Sequence, residues 1–200
     1  MTFNFASRRG MLFLNVCLLL SQSTMAYVYP LSNESIREAY SLGARQASLG
    51  ADFLAQYTHT IPKLKVGASY ISLVRIETPF TQVATHASRT MNYSAQDAVR
   101  DFLNKPAVFR IHMEICYMPD APPDSVKFKV IQNKNEVIPS LTERLPYYPA
   151  TNKHTRLPSI GETVELEFKP EKLDSSTLTI LIDTPDGQHA ETEFPLQTLR

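Results

Sequence analysis

AVFRIHMEICY, residues 107–117, is the stretch whose reading decides the fold. Ala107, Phe109, Ile111, Met113, Ile115 and Tyr117 alternate with Val108, Arg110, His112, Glu114 and Cys116. Successive side chains of a strand point to opposite faces. This period of two therefore predicts a strand with one buried apolar face and one mostly polar face.

The segments downstream repeat the signal. Val126, Phe128 and Val130 alternate with Lys127 and Lys129. Val164, Leu166 and Phe168 alternate with Glu165, Glu167 and Lys169, and Leu178, Ile180 and Ile182 with Thr177, Thr179 and Leu181. Residues 136–140 are expected to return beside the first of these across a turn at 133–135. Asp186-Gly187 predicts a hairpin that pairs 180–183 with 189–194. From residue 106 onward the chain is a series of short strands with turn signals, and it resembles an immunoglobulin-like β-sandwich in general architecture. That resemblance implies an architecture and carries no activity with it.

Upstream, residues 32–105 read as the helical part. Ser32 or Asn33 caps a helix expected to run to about residue 57. Its narrow face steps by four through Ala39, Gly43, Ala47 and Ala51. Gly43 and Gly50 each cost about 1 kcal/mol of helix propensity against Ala, so they call for a close approach of another backbone. That approach is either packing within the chain or helix-mediated self-association. Residues 70–77, YISLVRIE, are rich in strand formers without clean alternation, which predicts a strand covered on both faces. Residues 78–92, rich in Thr, Ser and Ala, read as a loop with a short element. Ser94 is the N-cap of a short helix over 95–104, with Val99, Phe102 and Leu103 on its buried side. The expected fold is α+β: an N-terminal helix and a short second helix packed on a mainly antiparallel β-sandwich, forming one exported domain over residues 27–200.

Export is read from the N-terminus. Arg8 and Arg9 precede an apolar run at 11–20 and a small, polar stretch at 21–26, the three parts of a secretory signal peptide. Thr24 and Ala26 suit the cleavage site and place the mature start at Tyr27. The apolar run falls short of the roughly 20 residues of a bilayer span, so no integral membrane span is expected in the mature chain. Ser7-Arg8-Arg9-Gly10-Met11-Leu12 resembles the twin-arginine export motif, which leaves the general secretory and twin-arginine routes both open.

The full chain has 20 basic and 20 acidic residues. Removing residues 1–26 takes two arginines and no acid. A near-neutral chain gives no electrostatic case for nucleic acid. It also leaves Cys116 as the lone cysteine, which reads as a half-buried strand residue or as a thiol for an intermolecular bond.

Two places could carry chemistry or recognition. Arg110, His112 and Glu114 project from one face of the opening strand, where His112 and Glu114 could share a metal or act as an acid–base pair. The second place is residues 141–160, read as a long loop. Tyr147 and Tyr148 lie there between Pro146 and Pro149, with Arg144, Lys153, His154 and Arg156 around them. Tyr and Arg are favoured at binding hot spots, which makes Arg144, Tyr147, Tyr148 and Arg156 the candidate contacts. No nucleophile elbow or glycine-rich phosphate loop occurs and no cofactor is expected. The sequence thus points to an exported, non-enzymatic protein that contacts an unidentified protein or envelope component through 141–160 or a sheet edge. The alternative is an enzyme built on Arg110, His112 and Glu114.

Overall fold

The computed structural model describes residues 27, 29–45, 51–62, 69–117, 126–147, 160–184 and 187–200. The expected signal peptide, Ala47, Gly50, Tyr148 and Arg156 lie outside them. Among the described residues there are four helices and nine strands, the strands forming two antiparallel sheets. None of these helices is long and apolar enough to cross a membrane.

Helix α1 spans Asn33–Arg45, α2 Ala51–Ala55, α3 Pro79–Arg89 and α4 Ala95–Leu103. The first sheet runs in the order β1 (Thr58–His59), β2 (Tyr70–Glu77), β3 (Phe109–Tyr117), β7 (Ile160–Phe168), β6 (Leu141–Tyr147). The second runs β5 (Asn135–Glu136), β4 (Lys127–Gln132), β8 (Thr177–Asp183), β9 (His189–Pro195). One apolar core takes side chains from both sheets. Ile71, Val74, Ile76, Phe109, Ile111, Met113, Ile115, Val164, Leu166 and Phe168 come from the first, and Val130, Leu178, Ile180, Ile182, Ala190 and Phe194 from the second. Each such aliphatic side chain contributes about 1.5–3 kcal/mol through removal from water.

Strand β3 is the centre of the first sheet, paired with β2 on one side and β7 on the other. Phe109, Ile111, Met113 and Ile115 are fully buried, while Arg110, His112, Glu114 and Cys116 face away from the core. The alternation of residues 107–117 is this division.

In β2 the register shifts between Ile71 and Leu73. The bulge lets Ile71, Val74 and Ile76 share one buried face although their spacing is not a clean period of two. The expectation that β2 is covered on both faces is therefore corrected: its other face is half-buried and carries Arg75 and Glu77.

The helices stack at one end of the sheets. Ser32, not Asn33, caps α1, accepting from the Ser35 N–H at 3.1 Å. α1 buries Ile36, Ala39 and Gly43 against α3 and α4. Of the helix expected to reach about residue 57, α1 and α2 cover 33–45 and 51–55, and residues 46–50 lie outside the described residues. Residues 78–92, expected as a loop with a short element, are mostly helix: α3 takes 11 of them. Thr78 is its N-cap, accepting from the Thr81 N–H at 3.2 Å, and Pro79 opens the first turn, where a missing N–H costs nothing. Phe80, Val83, Ala84 and Ala87 line its buried face at helical spacing, a signal that the surrounding Thr and Ser diluted. α4 begins with a full capping box between Ser94 and Asp97. Its buried residue is Ala98; Val99 and Phe102 are half-buried, and Leu103 is exposed, contrary to expectation.

The second sheet closes with two tight turns. Asn133 and Lys134 both have positive φ, 51° and 65°, the pattern of a two-residue hairpin turn. β8 and β9 pair as expected, Ile180 with Thr192 and Asp183 with His189, and Gly187 supplies the positive φ at their turn.

Candidate functional site

The outward face of the first sheet is built from β2, β3, β7 and β6. Residues opposite each other on antiparallel strands point the same way. The register sets Arg75, His112, Glu165 and Glu143 in one row, and Glu77, Arg110, Glu167 and Leu141 in the next. Arg110 Nε donates to Glu167 Oε1 at 2.8 Å, and Arg75 pairs with Glu77 at 3.3 Å. His112 stands between two carboxylates: Nδ1 is 3.4 Å from Glu165 and Nε2 is 3.5 Å from Glu114. The imidazole thus turns opposite ring nitrogens to its two acidic neighbours. One metal ion cannot sit against both nitrogens, so this trio does not converge on a common centre. No group of three or more His, Cys, Asp or Glu side chains suited to a metal ion occurs among the described residues. Arg110, His112 and Glu114 are brought together, but inside a cross-strand ion-pair ladder.

Cys116 is half-buried and opposite Tyr70 in register. Their side chains hydrogen-bond, which pushes the Tyr70 hydroxyl up from its ordinary value. Tyr93 donates to Asp101 at 3.1 Å; burial first and this carboxylate second push it up to about 12. Asp97 is held below the usual carboxylate range by its hydrogen bonds from Ser94, and Asp174 by those from Ser176.

The segment 141–160 is corrected in its first part: residues 141–147 are strand β6, at the edge of the sheet. Pro146 belongs to this strand, and an edge strand tolerates proline because one of its sides has no ladder to supply. Residues 148–159, with Tyr148, Lys153, His154 and Arg156, are outside the described residues. Tyr147 is the last residue of β6, opposite Gly161.

Arg144 does not stand out from the surface. It reaches inward, 3.2 Å from buried Glu162, donates to the Val126 carbonyl at 2.9 Å, and lies over the Phe128 ring at 5.5 Å. It ties the edge of the first sheet to the start of β4 in the second.

The polarity of β6 is inverted. Arg144 lies opposite Val164 and reaches the core side, with exposed Thr142 on the same strand face, whereas Leu141 and Leu145 lie opposite Glu167 and Thr163, on the outward side. Leu141 is 49 % exposed and Leu145 48 %, and Ile138, just before the strand, is 61 % exposed. These are three of the six large apolar side chains exposed among the described residues, and they gather at one edge. Glu143, Glu165 and Glu167 lie beside Leu141 and Leu145; Glu167 is paired with Arg110 and Glu165 faces His112, while Glu143 has no ion pair among the described residues. Sequence reasoning missed Leu141 and Leu145, because a search for alternation expects the apolar set to face the core.

Against known proteins, no protein-family model matches the chain and no curated sequence matches it significantly.

Proposed function

We propose that this protein is an exported, non-enzymatic binding module that takes up an extended segment of a partner protein along the β6 edge. The inverted strand is the observation that carries the reading. Folding gains nothing from Leu141 and Leu145 in water, and an edge strand is a template for a further strand. Glu143, between Leu141 and Leu145 and without an ion pair among the described residues, favours a partner segment in which a basic residue alternates with apolar ones. The strand orders β2-β3-β7-β6 and β5-β4-β8-β9 support an immunoglobulin-like sandwich, since they match the order of its four-stranded A-B-E-D sheet and of a C-F-G sheet extended by one strand. The N-terminal signal pattern supports export.

Selection from a displayed library of 12-residue peptides tests the proposal. The expected winners alternate apolar and basic residues, bind with protection of the 141–147 amides from hydrogen exchange, and lose about 100-fold in affinity against Leu141→Asp/Leu145→Asp. Covering two leucines is worth about 3 kcal/mol, which is that factor. A library that yields no binder, or binders indifferent to both substitutions, refutes the edge as the site.

A further inference from the structure

We propose a second site, at the junction of the helices with the first sheet, that takes a small carboxylate carried on an apolar body. A cleft of about 330 Å³ opens there, between the segment 29–31, the start of α3 and the turn from α4 into β3. That volume lies at the lower end of ligand pockets and suits a body of about 12 heavy atoms.

Its walls combine apolar and polar surface. Tyr29 is 39 % exposed and Leu103 47 %, two further members of the six exposed large apolar side chains, and Leu31 and Phe102 stand with them. Leu103 is the residue that α4 was expected to bury and does not.

Its charge is one-sided. Lys105 and Arg110 line the cleft, and no acidic residue is among its lining residues. Arg110 is held by Glu167 through Nε. Lys105 has no ion-pair partner among the described residues, and its ammonium sits 5.9 Å from the centroid of the Phe102 ring. A cation kept over an aromatic wall, beside apolar surface left in water, selects an anion that brings its own apolar surface. Gln82 stiffens the floor: its amide donates to the carbonyls of Glu77 and Val108, at 3.2 and 2.7 Å, tying α3 to the end of β2 and the approach to β3.

The probe is 1-naphthoate, with 1-naphthalenemethanol as its uncharged counterpart and decanoate as an aliphatic competitor. The chain has no tryptophan, so naphthoate emission is read without indole background. Expected are saturable naphthoate binding with Kd below about 1 mM, displacement by decanoate, and at least tenfold weaker binding of the alcohol. Lys105→Glu should weaken naphthoate at least tenfold, with the milder Lys105→Gln in between. Both variants should unfold at the wild-type temperature, because Lys105 is exposed. Leu103→Asp should abolish binding. Absence of naphthoate binding at 1 mM, equal binding of the alcohol, or full affinity in both Lys105 variants overturns the proposal.

Discussion

Gly43→Ala separates two opposed effects at one atom. On helix propensity alone, Ala in the interior of α1 is favoured over Gly by about 1 kcal/mol. The packing says otherwise. A Cβ built on Gly43 would stand 2.0 Å from the Ala84 carbonyl oxygen, 2.9 Å from its carbon and 3.0 Å from the Ala87 Cβ. Two of these three contacts are to backbone, which has no rotamer to change. Bringing the closest one to a tolerable separation moves α1 from α3 by about 1 Å, at the point where Ile36, Ala39, Val83 and Ala84 pack together. Overpacking of this kind costs about 1–3 kcal/mol, and a clash against backbone belongs at the upper end. After the propensity gain, a net loss of about 2 kcal/mol is expected, or about 4–8 °C in Tm for a chain of this size. Far-UV circular dichroism during heating and urea unfolding reads it. Ala44→Gly is the control: Ala44 is exposed on the same helix and should lose about 1 kcal/mol by propensity alone. If Gly43→Ala raises the midpoint, the close contact of α1 with α3 is wrong. The same contact bears on self-association, since the Ala39 and Gly43 part of the narrow helix face is already covered by α3 of the same chain.

Two further outcomes follow from charged and titrating groups. Arg144→Ala should destabilise by about 2 kcal/mol, discounted from the buried-pair range because Arg144 is itself partly exposed, and Glu162→Gln in that background should restore part of the loss by removing the buried charge; urea midpoints check both, and no recovery in the double variant would deny the pair its role. Tyr93 is protonated more tightly in the folded state than in the unfolded chain, so its contribution is complete below its ordinary value of 10.0 and is lost as pH rises towards about 12. Buried Tyr27 and Tyr57 are shifted up as well, so stability should fall across this range, and less steeply in Tyr93→Phe; identical urea midpoints against pH for the two proteins would refute the Tyr93 share.

The legible parts of the fold are those where one physical signal spoke alone. Residues 107–117 alternate because β3 is flanked on both sides and must divide its residues between core and outward face. The Ser94 cap and the hairpin at Gly187 were legible because backbone chemistry at an end or a turn admits few residue types. Where two signals met, the period was lost. The bulge in β2 put Ile71 and Val74 on one face at a spacing of three, and this looked like burial on both sides. Thr78-Pro79 was a helix start inside a segment whose composition suggested a loop.

The candidate surfaces were illegible for a stronger reason: a surface that binds is where residue choice departs from what folding alone requires. In β6 the departure is plain, with Arg144 towards the core and Leu141 and Leu145 towards water. Arg144 is tolerated there because Glu162, the Val126 carbonyl and the Phe128 ring satisfy it. With the inward side satisfied by polar contacts, the outward leucines are released from any duty in the core. At the cleft the departure is smaller but of the same kind, since Leu103 continues the apolar face of α4 and is left exposed among the described residues. Replacing Leu141, Leu145 or Leu103 by a polar residue should therefore leave the unfolding midpoint within about 0.5 kcal/mol of wild type, as for ordinary surface positions. A larger loss at any of the three would make that leucine part of the fold and remove it from the proposed surface.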